Sequence, residues 1–175
     1  MCNLSVVARN DRQVFRYLVD FGDGERDVVS LLEPDWVFQH GLHPEAVMAV
    51  VREGADQEDF LAPADVQENG PFLRLLSRVI FESIDQCGSL RRQAEIQGSG
   101  YVYLLDERKP DPGGRVAPDD VVGVVDVSNG KPVAGSYQHN PRHRLLTAAG
   151  WFQLPAEIEA ALHSRLRARA NDQPA

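Results

Sequence analysis

Apolar positions along the chain follow two periods. In VFRYLVDF, Phe15, Tyr17, Val19 and Phe21 alternate with Val14, Arg16, Leu18 and Asp20, which predicts a half-buried strand. NLSVVA before it is short and β-branched, a second strand. Gly22-Asp23-Gly24 reads as a turn, because glycine tolerates positive φ. DVVSLL returns as the other arm of a hairpin, with a helix as the alternative. His43-Pro44 opens a short predicted helix whose apolar face is Val47, Val50 and Val51.

The helical period is clearest in PFLRLLSRVIFESIDQC. Phe72, Leu76, Val79, Ile80, Ile84 and Cys87 fall on one face, and Arg74, Arg78, Glu82 and Asp85 on the other. Asn69-Gly70-Pro71 supplies its cap and start. LRRQAEIQ continues it after a kink at Gly88. YVYLLDE is a strand, and ERKPDPGGRVAPDD an irregular loop. VVGVVDV and PVAGSY flank Ser128-Asn129-Gly130-Lys131, a hairpin with a two-residue type I′ turn. Pro132 then faces Val127 as a non-hydrogen-bonded pair, so the second arm is an edge strand or ends early. LPAEIEAALHSRLRARA closes the chain as a helix with acids near its start and arginines near its end.

These elements predict a single α+β domain over residues 1–170 with a disordered tail at 171–175. The N-terminal hairpin, YVYLLDE and the 121–137 hairpin would form one antiparallel sheet. The 71–87 and 155–169 helices would pack on one face of it. At 175 residues the chain buries a core without disulfides or metal.

Charge sharpens the picture. The net charge is −8, which argues against binding a nucleic-acid backbone and permits a basic protein partner. Residues 1–100 hold 17 acids and 9 bases, while residues 101–175 hold 9 of each. The densest stretch, Glu53 to Glu68, has six acids and no base. It predicts an acidic surface loop between helices. Arginine outnumbers lysine sixteen to two, a bias that suits a GC-rich bacterial source. No basic-then-apolar leader opens the chain, and no run approaches the roughly 18 apolar residues of a membrane span, so the expected compartment is the cytoplasm.

Candidate chemistry is sparse. The chain has no GxSxG, P-loop, HExxH or GxGxxG, and its two cysteines form no zinc pattern, so no cofactor or metal is expected. DFG at 20–22 is a turn. Cys2 would become an N-terminal nucleophile if Met1 were removed, though a small residue opening a strand explains it as well. Trp36 and Trp151 suit core anchors. Asp119 and Asp120 would serve a metal only with Asp106, and acids so placed usually face solvent.

YQHNPRHRLL is the densest polar stretch outside the acidic run. Asn140-Pro141 reads as the cap and first residue of a helix that Gly150 ends. That separates His139 from His143 and argues against a metal site. An anion site at the helix start would use His139, Asn140, Arg142, His143 and Arg144. The plainer alternative pairs Arg142 and Arg144 with Asp106 or Asp120.

The expected function is a non-enzymatic protein-binding protein, an acidic immunity- or antitoxin-like inhibitor of a basic toxin or nuclease. Its contact residues would be Asp56, Glu58, Asp59, Asp65 and Glu68. The alternative is a small enzyme or phosphate-ligand binder that uses the 139–144 segment.

Overall fold

The computed structural model describes residues 12–55, 60–109 and 114–168, together with the backbone of 4–7. The fold is α+β, with antiparallel sheets and helices packed against them. The chain clusters into two compact units. One comprises Met1–Leu76, Leu145–Trp151 and His163–Ala175, and the other Ser77–Arg144 and Phe152–Leu162.

In the first unit, β1 (Leu4–Val7), β2 (Gln13–Asp20), β3 (Glu25–Ser30), β4 (Val47–Val51) and β5 (Val66–Glu68) form a sheet in chain order. The β2–β3 turn is held by Asp20, whose carboxylate accepts from the amides of Gly22 and Gly24. Tyr17 packs with Val28 and Val47 and donates its hydroxyl to the Leu32 carbonyl at 2.6 Å. Beside it, Arg16 reaches Asp27 at 2.8 Å. Helix α1 (Pro34–His40) carries Trp36, which stacks on His40 and lies under the Arg167 guanidinium.

The helix expected after His43 is absent. Residues 44–46 make one 3-10 turn, and Val47–Val51 is β4, a central strand between β3 and β5. A run of five apolar residues satisfies helical spacing as well as strand spacing. Val47, Met48, Ala49 and Val51 are all buried, as in a strand covered on both faces. The acidic stretch also ends differently from the expected loop: its last three residues are β5.

In the second unit, β6 (Gly100–Leu105), β7 (Val121–Ser128) and β8 (Lys131–Pro132) form a separate sheet, and β9 (Gln138–His139) also pairs with β7. The strands expected in one sheet therefore divide between two. The type I′ turn is present, with φ of 52° at Asn129 and 72° at Gly130. Pro132 faces Val127, and β8 ends there. Helix α3 (Gly88–Gln97) packs on β6, β7 and β8 through buried Leu90 and Ala94. Gly123 lets Tyr137 cross β7, since a Cβ there would lie 2.5 Å from the Tyr137 ring.

Two short strands, β10 (Leu146–Thr147) and β11 (Gly150–Trp151), pair in the first unit. Helices α2 (Gly70–Ser83) and α4 (Ala156–Ala168) lie where the helical period places them. Trp151 is buried and Trp36 only half-buried. No described helix is long and apolar enough to cross a membrane.

Candidate functional site

Residues 137–145 form no helix. Asn140 begins a turn closed by the His143 amide on its carbonyl at 3.1 Å. Its side-chain oxygen accepts from the Arg142 amide, and its side-chain NH2 donates to the Pro118 and Val121 carbonyls. An Asn-Pro step suits such a turn as well as a helix cap, because the asparagine side chain mimics a backbone turn. The anion reading therefore loses the helix terminus on which it stood. The turn instead brings His139 and His143 together, with ring centroids 6.0 Å apart.

Behind the turn lies a polar hub. Asp106, just past the end of β6, and Arg108 and His143 all have side chains with 0% exposure. Asp106 accepts from His143 Nε2 at 2.8 Å and from Arg108 Nη2 at 2.6 Å. Its other oxygen accepts from the amides of Arg108 and Gln153 at 3.0 and 2.9 Å. Arg108 also donates to the Arg144 carbonyl, and Asp120 lies within ion-pair distance of both Arg108 and Lys109. Burial pushes the Asp106 carboxyl up, but the hydrogen bond from His143 and the Arg108 charge outweigh it, so its pKa lies below the ordinary value.

The acids expected to hold Arg142 and Arg144 are thus held by Arg108 and His143. Sequence reasoning missed Arg108. A signal was present in DER, where an acid and a base two apart leave the end of a strand on one side. That spacing is common on surfaces and does not reveal burial.

His143 makes the Asp–His contact of a general base, yet it is 2% exposed and hydrogen-bonds no hydroxyl or thiol among the described residues. A base must reach the proton it removes, so this arrangement orients the turn rather than a reaction. His139 differs. The Tyr137 hydroxyl lies 2.9 Å from its Nδ1, and burial together with the nearby His143 lowers its pKa to about 4. At neutral pH it is an uncharged imidazole that shares a hydrogen bond with the Tyr137 hydroxyl.

His139 and Arg142 line an open cleft of about 1210 Å³ over β6, β7 and β9. Tyr101 and Tyr103 also line it, 55% and 48% exposed, with rings in edge contact. Arg115 lines it too. Among the described residues, none that lines the cleft is an acid. Among the described residues no cluster of three His, Cys, Asp or Glu side chains is placed to hold a metal.

The acidic candidates separate. Asp56, Glu58 and Asp59 lie outside the described residues, as does Cys2. Asp65 accepts from the Ala62 amide at 2.7 Å, and Glu68 from the Leu145 amide at 2.6 Å. Both are half-buried and structurally engaged.

Compared with known proteins, the chain matches no family model, no curated sequence and no solved structure.

Proposed function

We propose that the protein is a binding protein and that the cleft of the second unit holds a ligand bearing negative charge. One observation carries the reading: in a chain of net charge −8, the described residues that line the cleft include two arginines and no acid. Both guanidinium groups are exposed, and neither has an ion pair among the described residues. Exposed arginines beside neutral hydrogen-bonding groups suit carboxylate or phosphate, which they engage in bidentate fashion. Gln138 and neutral His139 add such groups without an opposing charge.

Capture of a basic partner by the acidic stretch is a separate proposal, now resting on Asp56, Glu58 and Asp59. The cleft reading is tested by thermal unfolding and calorimetry with inorganic phosphate, pyrophosphate and citrate. It expects stabilisation that weakens with salt. An Arg115→Ala/Arg142→Ala double variant should keep the wild-type Tm and lose the ligand effect. No stabilisation at millimolar anion, or an equal effect in the double variant, would overturn it.

A further inference from the structure

Among the described residues, strand β6 is paired on one side only. The hairpin register shows which of its groups are spare. The Val133 amide bonds to the Asp126 carbonyl, and the Asn140 amide to the Val122 carbonyl. Even-numbered residues of β7 therefore direct their backbone groups towards β8 and β9. Its odd-numbered residues, Gly123, Val125 and Val127, direct theirs to Leu104, Val102 and Gly100 of β6. The amides and carbonyls of Tyr101 and Tyr103 then point away from the sheet. No described residue bonds to them.

An exposed edge of this kind is normally blunted by charge, proline or a covering segment, because it invites another strand. Here Gly100–Leu105 contains neither charge nor proline. Its exposed side chains are tyrosines, which give a pairing strand apolar surface and hydrogen-bonding tips.

The geometry points to β-strand addition: an extended acidic peptide segment of a partner protein pairs with the free edge of β6. This rests on reading the cleft as an anion site, since Tyr101 and Tyr103 line the cleft. Backbone pairing to Tyr101 and Tyr103 supplies up to four hydrogen bonds, and alternate peptide side chains meet the cleft. Charge selects the occupant. Arg115 and Arg142 are the charged side chains among the described residues of the cleft lining, so carboxylates on the segment are matched and lysines repelled. Asp126, opposite Tyr101 in register, is an acid on that face and lies outside the lining.

The test uses a fluorescent octapeptide of alternating Glu and Val, its Lys-Val counterpart, and two Glu-Val versions N-methylated on one or the other alternate set of residues. Strand addition predicts anisotropy binding by the Glu-Val peptide and not by the Lys-Val one. Exactly half the methylation pattern matters: one methylated version loses binding by about tenfold or more, and the other keeps it. Amide exchange at Tyr101 and Tyr103 should slow on binding. Tyr103→Pro removes an amide that β7 does not use, so it should leave the fold intact and abolish binding, while Tyr103→Ala retains part of it. Equal binding by both methylated peptides overturns strand addition. If Arg115→Ala/Arg142→Ala then removes that binding, the anion reading stands without it. Absence of peptide binding while pyrophosphate still stabilises the protein likewise overturns only strand addition. Failure of peptide and small anions together overturns both. Concentration-dependent dimerisation that Tyr103→Pro abolishes would make a second copy the occupant and overturn the peptide assignment.

Discussion

His143 Nε2 lies 2.8 Å from an Asp106 carboxylate oxygen, and neither side chain is exposed. The pair ties the 140–145 turn to the end of β6, and Arg108 completes its charge balance. Removing one partner of a buried charged set leaves the other uncompensated and typically costs about 3–5 kcal/mol. Asp106→Ala should therefore lower stability by about that much, because Arg108 loses its closest carboxylate. His143→Ala should cost less, since it removes one hydrogen bond and packing but no obligatory charge. Urea unfolding followed by circular dichroism measures both. A stability unchanged by Asp106→Ala would rule out the hub as a fastening.

The same region sets the response to acid. His139 has its pKa lowered to about 4 by burial, against an ordinary 6.5. Between those values the unfolded chain binds more protons than the folded one, so stability rises with pH. Read downwards, stability is full above about 6.5 and falls as pH drops through 4. Asp106, also lowered, adds a further loss below its ordinary value of 3.8. Unfolding free energy measured from pH 7 to pH 3 should decline across both intervals. His139→Gln, which can still hydrogen-bond Tyr137 but does not titrate, should flatten the upper interval relative to wild type.

Little of the hub was legible in the sequence. Asp106, Asp120 and His143 stand out as polar residues, but their partners depend on how a turn folds back over a strand end. Asn140-Pro141 carries the same composition for a helix start and for a turn. The choice was made by two hydrogen bonds from the asparagine side chain to Pro118 and Val121, about twenty positions upstream, which no local pattern encodes.

Gly123 is a packing position that periodicity alone does not mark. An alanine there would press on the Tyr137 ring and the Gln138 carbonyl oxygen, the latter being backbone that cannot rotate away. Gly123→Ala should destabilise by about 1–3 kcal/mol, the usual range for overpacking. It should also disturb β9 and with it His139. Thermal unfolding gives the cost, and the histidine ring resonances report the displacement.

The hairpin around Asn129-Gly130, helix α2 and strand β6 were readable because each is specified locally, by turn chemistry or by a long unbroken period. Val47–Val51 was not. Its neighbours β3 and β5 decide that it is a strand, and both are remote from any window centred on it.

The acidic stretch can be dissected because its members do different jobs. Asp65 and Glu68 hold backbone amides, so reversing their charge replaces an acceptor with a cation that cannot accept. Asp65→Lys and Glu68→Lys should each lower stability by about 1–3 kcal/mol, the cost of an unsatisfied half-buried donor. A binding loss in those variants would therefore be ambiguous. Asp56→Lys, Glu58→Lys and Asp59→Lys together form the cleaner probe of basic-partner capture. If that proposal holds, the triple variant keeps the wild-type Tm and slows association with a basic partner, with the wild-type rate itself falling as salt is raised. Association rates measured at low and high salt with a lysine-rich model protein decide it. Equal rates for wild type and triple variant would remove the acidic stretch as a capture surface and leave the cleft as the site to pursue.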